Sequence, residues 1–166
     1  LKKHSIQVTS LGGEFGETRE EFECACRMAL SVGTCLLSGT LPLLFTDRDF
    51  VMQKLQDYQL RLAIENHPER HPVEMLAKIG DGADGHIGTA IDTGWYATQG
   101  YDAAQAILDL KDQLLHIHLK DVLPGKDHIN CGYGKGVVPI DRCLDALKAI
   151  GYPHDISVEN HATNLD

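Results

Sequence analysis

Short apolar runs alternate along this chain with longer segments that carry one apolar face. Within residues 86–121, apolar runs at 87–91 and 114–119 flank the segment 102–110, in which apolar residues recur at i, i+3, i+4 and i+7. Apolar runs closed by turn residues indicate buried strands, and the i, i+3, i+4, i+7 spacing is typical of an amphipathic helix. Because a helical crossover joins parallel strands, this stretch is predicted to be a strand–helix–strand unit.

The same alternation predicts further elements on both sides of this unit. We predict additional strands at 4–10, 34–37, 60–64 and 156–158, and additional helices at 18–30, 47–58, 72–79 and 140–150. Gly12 and Gly13 are expected to stop the first strand. Thr18 and Glu21 have the spacing of a capping box, which predicts the start of the first helix. Six strands and five helices result.

This repetition is typical of two α/β architectures. Spread over 166 residues, six units take about 28 residues each, close to the roughly 31 residues per unit of a typical (β/α)8 TIM barrel. We therefore predict one domain, 1–166, that forms a TIM barrel lacking about two units. An open, doubly wound sheet is the structural alternative. The chain begins with Leu1 and not Met, which suggests a partial sequence.

Composition narrows the classes of function. With 43% hydrophobic residues the chain can bury a core, and its formal charge of −9 argues against a nucleic-acid partner, which needs a basic face. No apolar run approaches the roughly 20 residues of a membrane span. The five cysteines form no paired CxxC pattern. We interpret them as reduced thiols and predict a cytoplasmic enzyme of small molecules.

Four residues that carry chemistry follow or end predicted strands: Glu65, Asp92, His118 and Glu159. In a closed barrel, side chains at the carboxyl ends of the strands converge. Three carboxylates and one imidazole then form a site suited to Mn²⁺, Mg²⁺, Co²⁺ or Zn²⁺. Taken singly, each acidic residue is more often a solvated loop residue, and His118 could be a buried histidine that bonds a backbone carbonyl.

Four segments carry a family resemblance. Residues 63–67 (AIENH), 91–94 (IDTG), 116–121 (HIHLKD) and 156–159 (ISVE) resemble the last four strands of the xylose isomerase-like TIM barrels, the sugar phosphate isomerase/epimerase superfamily. That group includes ketose 3-epimerases, hydroxypyruvate isomerase, inosose dehydratase and AP endonucleases. The resemblance implies metal-ligand roles for Glu65, Asp92, His118 and Glu159. It also implies that Glu65 and Glu159 exchange protons with the substrate.

Other residues near these strand ends are candidates for substrate binding. Trp95 stands where many relatives carry a His, three residues after Asp92, and offers a face for a sugar ring, although a lone Trp is more often core. His67 and His161, each two residues after a predicted ligand Glu, could bind hydroxyls if the strand persists that far. Lys120 could hold a phosphate or a hydroxyl, or lie in solvent.

Departures from the family pattern limit the reaction. The adjacent Asp127 and His128 lack the Asp-x-His spacing of AP endonucleases, so a three-metal phosphodiesterase centre is not expected. The glycine-rich loop 132–136 lacks a GxGxxG between a strand and a helix and is predicted to be a lid or substrate-side loop.

The expected activity is therefore a metal-dependent isomerase or epimerase of a small sugar, keto-acid or cyclitol. A cation that chelates a carbonyl and its adjacent hydroxyl acidifies the neighbouring C–H and stabilises an enediolate. An inosose-dehydratase-like lyase and a catalytically incomplete binding module are the alternatives. Open sheet edges in a partial barrel also predict that chains associate as a homo-oligomer.

Overall fold

The computed structural model describes residues 2–160, without the side chains of Lys2 and Ala83. Six strands follow one another in sequence order: β1 (Leu11–Glu14), β2 (Leu36–Thr40), β3 (Arg61–Glu65), β4 (Ile87–Asp92), β5 (Leu114–Leu119) and β6 (Ile156–Val158). Six α-helices are described: α1 (Arg19–Val32), α2 (Arg48–Asp57), α3 (Pro72–Ile79), α4 (Thr93–Thr98), α5 (Ala103–Asp109) and α6 (Ile140–Ala149). Short 3₁₀ turns occupy Lys2–His4, Pro42–Phe45 and Ala83–Gly85.

The described residues fall into two compact units. The first contains residues 2–64 and 81–88, and the second contains residues 65–80 and 89–160. Within residues 2–160, no helix has the length and apolar character that crossing a bilayer requires. The prediction of one domain over 1–166 stays a prediction.

The first unit pairs β1 with β2 and β2 with β3, all in parallel. Its first strand was predicted wrongly: the strand is not 4–10 but Leu11–Glu14, and it includes Gly12 and Gly13. Glycine is needed where these two strands meet, because a Cβ on Gly39 of β2 would overlap the carbonyl oxygen of Gly13. Glycine therefore permits two strand backbones to approach here and does not end the strand.

Helix α1 begins as the sequence predicts. The Thr18 hydroxyl accepts a hydrogen bond from the backbone N–H of Glu21 at 3.3 Å, and the Glu21 carboxylate accepts from the backbone N–H of Thr18 at 3.0 Å. The capping box is thus confirmed. Its C-terminal cap is Gly33, whose φ of 84° suits glycine best. The apolar face of the helix buries Phe22 and Cys26.

The second unit pairs β4 with β5 and β5 with β6, again in parallel. Every residue of β4 is buried, as expected for a strand covered on both faces. Helix α4, which follows β4 directly, was not predicted, because its six residues are too few to show a helical period. It forms at this point because the Asp92 carboxylate caps it, accepting a hydrogen bond from the Trp95 N–H at 3.0 Å.

The parallel register of the second unit sets the level of its strand ends. Asp92 of β4 stands beside His118 of β5, and the N–H of Glu159, just past β6, donates to the carbonyl of Leu119 at 2.9 Å. The carboxyl ends of β4, β5 and β6 therefore present their side chains together. Strand β6 is short and exposed, with Val158 71% exposed. The predicted association of chains stays a prediction.

Candidate active site

Three of the four predicted ligands, Glu65, His118 and Glu159, lie close together in the second unit. The Nδ1 atom of His118 is 2.6 Å from Glu159 Oε2 and 3.6 Å from Glu65 Oε1. One donor atom from each of the three residues lies within 4.8 Å of the other two. Glu65 is buried, and His118 and Glu159 are mostly covered. We call these three residues the donor cluster.

Asp92, the fourth predicted ligand, is joined to the donor cluster through a lysine. The Lys120 ammonium lies 2.8 Å from Asp92 Oδ2 and 2.6 Å from Glu159 Oε1. Asp92 is 0% exposed and Lys120 is 5% exposed. A solvated Lys120, one of the two alternatives left by the sequence, is therefore wrong. The lysine reaches this position because it stands just past β5, two residues after His118, where strand alternation points both side chains to the same side.

The charges of this site are unevenly balanced. Burial raises the pKa of Glu65, although the neighbouring His118 and His67 oppose the shift. Burial by itself would lower the pKa of His118, but its hydrogen bond to Glu159 and the charge of Glu65 outweigh burial and raise that pKa. Three carboxylates thus share the site with one ammonium and two imidazoles, and with all three carboxylates ionised the site is net negative whenever either imidazole is neutral.

Asn66 and Thr93, both buried, hold the backbone of this site, and neither was predicted from the sequence to do so. Asn66 and Asp92 bond reciprocally: the Asp92 N–H donates to Asn66 Oδ1 at 2.8 Å, and Asn66 Nδ2 donates to the Asp92 carbonyl at 3.3 Å. The Thr93 hydroxyl donates to the Lys120 carbonyl at 2.7 Å and accepts from the Lys120 N–H at 2.9 Å. The available signal was that each directly follows a predicted ligand, Glu65 or Asp92, in the chain.

Aromatic rings border the donor cluster. His67 Nε2 lies 4.0 Å from Glu65 Oε1, and its ring centroid lies 5.7 Å from that of Trp95. Trp95 stacks on His128, with centroids 3.8 Å apart and planes 11° apart. The face of Trp95 that was expected to receive a sugar is thus partly taken by a histidine. From the sequence, His128 was considered only together with Asp127, because the adjacent pair lacks the Asp-x-His spacing of AP endonucleases. His161 lies outside the described residues.

His128 is itself fixed by a second contact. Its Nδ1 atom is 2.9 Å from the hydroxyl of Thr98, at the end of α4. The other ring nitrogen, Nε2, is shielded from solvent and has no hydrogen-bond partner among residues 2–160. Burial lowers the pKa of His128, although Asp92 nearby acts in the opposite direction. A neutral imidazole therefore stands next to Trp95.

The donor cluster fits a divalent cation. Two carboxylate oxygens and one imidazole nitrogen are the donor types that Zn²⁺, Mn²⁺ and Co²⁺ accept, and three protein ligands leave positions open for substrate. Glu65, His118 and Glu159 are the residues that would hold the cation, whereas Asp92 is bound by Lys120 and lies outside this group.

Comparisons with known proteins agree with this architecture. A family described as xylose isomerase-like TIM barrel matches residues 1–165. A D-tagatose 3-epimerase-like protein superposes with a TM-score of 0.81 at 19% identity, covering 96% of this chain and 72% of that one. IOLI, a protein crystallised with a bound zinc atom, superposes with a TM-score of 0.73 at 18% identity, covering 95% of this chain and 69% of that one.

A curated relative shares part of the sequence. An uncharacterized protein from Methanocaldococcus jannaschii is 26% identical over 124 residues, and the match spans 70% of this chain but only 42% of that relative. The predicted fold, with six parallel strands and their helices in the manner of an incomplete barrel, is confirmed. The chain belongs to the xylose isomerase-like TIM barrel family.

Proposed function

We propose that the protein is a divalent-metal-dependent isomerase or epimerase that moves a proton at a carbon next to the carbonyl of a small sugar, keto-acid or cyclitol. The observation that carries this proposal is the donor cluster, whose three ligand atoms lie within 4.8 Å of one another at a strand end. The likeness to a D-tagatose 3-epimerase-like protein and to zinc-binding IOLI supports it.

A divalent cation, when bound, would polarise the substrate carbonyl and an adjacent hydroxyl and so acidify the neighbouring C–H. In this proposal the two glutamates transfer the proton. Glu65 is the better-placed base, because it is buried and its nearest cationic neighbour, His118, is 3.6 Å away. Glu159 has each oxygen engaged at 2.6 Å, one by His118 and one by Lys120. It would therefore act once these contacts rearrange around the substrate.

The remaining predicted residues bind and orient the substrate in this proposal. His67 stands beside Glu65 and next to Trp95, where its ring nitrogens can bond a hydroxyl. Lys120 already binds two carboxylates, and its ammonium can transfer one of these hydrogen bonds to a substrate oxygen. The side chains of His67 and Lys120 beside the donor cluster can bond the hydroxyl and carbonyl oxygens of such substrates, and the predicted cytoplasmic location suits their metabolism.

Deuterium exchange tests the proposal. The chain is incubated in D₂O with Mn²⁺ and a panel of ketoses, hydroxy-keto acids and inososes, and loss of each substrate C–H signal is followed by NMR. We expect exchange at one carbon next to a carbonyl for at least one compound, abolished by a chelator. Formation of an unsaturated ketone in place of exchange would identify a lyase. Absence of any exchange in the whole panel, with metal present, would contradict the proposed activity and favour a binding module.

A further inference from the structure

We infer that Tyr133 is a positioning residue that fixes Glu159 in the donor cluster by clamping the ends of β5 and β6. The inference rests on the proposed function for its catalytic meaning. Its geometry is independent of that function. None of the roles assigned above belongs to Tyr133, and its segment, 132–136, was predicted from the sequence only as a glycine-rich lid or substrate-side loop.

The hydroxyl of Tyr133 meets two carbonyls at once. It lies 2.6 Å from the Leu119 carbonyl oxygen and 3.0 Å from the Glu159 carbonyl oxygen, so its single proton is shared between the two strand ends in a bifurcated hydrogen bond. The Glu159 N–H also donates to the Leu119 carbonyl, at 2.9 Å. Both backbone polar groups of Glu159 are therefore tied to the last residue of β5, one directly and one through the tyrosine.

Glu159 needs such a restraint because the strand before it is weak. Strand β6 has three residues, and its recorded pairing is with β5 alone among residues 2–160. Short, exposed edge strands open more readily than central ones. The carboxylate of Glu159 nevertheless makes contacts of 2.6 Å to both His118 and Lys120. A backbone shift of about 1 Å would break such contacts, and misplacements of that size cost about 10²-fold in catalysis.

The loop that carries Tyr133 is itself anchored. Asp121, only 1% exposed, accepts four backbone N–H groups: those of Val122 and Val138 on Oδ1, at 3.0 and 3.1 Å, and those of Gly134 and Gly136 on Oδ2, at 2.9 and 3.0 Å. A Cβ at Gly136 would overlap both Asp121 and the Val122 carbonyl. These bonds hold the segment at the end of β5, which favours the substrate-side loop over the lid, the two alternatives predicted from the sequence.

The chain offers a matched control at the opposite end of the same strand pair. The hydroxyl of Tyr152 lies 3.3 Å from the Leu115 carbonyl and 3.3 Å from the Asp155 carbonyl, and both residues precede the paired parts of β5 and β6. Tyr133 and Tyr152 thus staple the same two strands through the same group. Only Tyr133 does so beside the donor cluster.

The test compares Tyr133→Phe with Tyr152→Phe in the full 166-residue chain. The first readout is the imidazole region of the ¹H–¹⁵N NMR spectrum, where the His118 ring signal, assigned by its absence in His118→Asn, reports the 2.6 Å bond to Glu159. The second is Mn²⁺ affinity. We expect Tyr133→Phe to shift or broaden the His118 signal and to weaken Mn²⁺ binding about 10- to 100-fold, the usual effect of losing a group that orients a ligand. Tyr152→Phe should change neither.

Urea unfolding of both variants separates positioning from general stability, because each loses one hydroxyl with two carbonyl partners. Asp121→Asn, which keeps Tyr133 and weakens the loop, should shift the His118 signal in the same direction. An unchanged His118 signal and affinity in Tyr133→Phe, or equal changes in Tyr152→Phe, would overturn the inference. If the wild type binds no Mn²⁺, the proposed function fails, and the His118 signal alone decides the role of Tyr133.

Discussion

Replacement of Glu65 or Glu159 by glutamine is expected to lower the rate of substrate C–H exchange by about 10²-fold or more, the usual contribution of a positioned acid or base. Glutamine keeps an oxygen that can bind a cation, but it cannot take up a proton at neutral pH. Metal binding should therefore persist while exchange is lost. Deuterium incorporation measured by NMR with saturating Mn²⁺ separates the two effects.

Glu74→Gln is the matched control for these variants. Glu74 is an exposed carboxylate of α3 that accepts a hydrogen bond from the Arg70 N–H at 3.0 Å and is not part of the donor cluster. It should retain exchange at the wild-type rate. His118→Asn should lose metal affinity and exchange together, with partial recovery at high Mn²⁺ concentration. Undiminished exchange in both Glu→Gln variants would place the base elsewhere and contradict the proposed roles.

Lys120→Met is expected to lower the free energy of unfolding by about 3 to 5 kcal/mol, because it leaves a buried charge without its partner. Asp92 is 0% exposed, and its carboxylate lies 2.8 Å from the Lys120 ammonium. Urea unfolding at pH 7 measures the loss. The double variant Asp92→Asn/Lys120→Met removes the stranded charge and should recover a large part of it.

Lys111→Met provides the comparison for a lysine in solvent. Lys111 is exposed, and surface substitutions change stability by about 0.5 kcal/mol or less. Added Mn²⁺ should stabilise Lys120→Met more than the wild type, since Asp92 is then available as a further ligand. A loss below about 1 kcal/mol in Lys120→Met would show that Asp92 does not depend on this ion pair.

Much of the fold was predicted correctly from local sequence patterns. The capping box at Thr18, the strand at 114–119 and the helix at 72–79 match the structure, because caps, apolar runs and Pro at a first turn act within a few residues. The first strand was misplaced because its position depends on a distant contact, the close approach of Gly13 to Gly39. No local pattern reports such a contact.

The residues of the candidate site also fall into two groups, those that strand patterns predict and those on irregular segments that they do not. The proximity of Glu65, His118 and Glu159 could be predicted from the sequence, because parallel strands bring their carboxyl ends together. The contact of Lys120 with Asp92 was also predictable. Lys120 stands two residues after His118, so both side chains point to the same side, and His118 lies beside Asp92. His128 and Tyr133 were not predictable, because each sits on an irregular segment whose path is set by Thr98 and Asp121.

The most direct test of the metal centre is an anomalous difference map from a crystal of the chain soaked in Mn²⁺. We predict one strong peak with oxygen or nitrogen atoms of Glu65, His118 and Glu159 within roughly 2.0 to 2.6 Å. Lys120 should have moved away from Glu159 in that crystal. A peak at another site, or no peak near His118 under saturating Mn²⁺, would contradict a divalent cation centre formed by these residues.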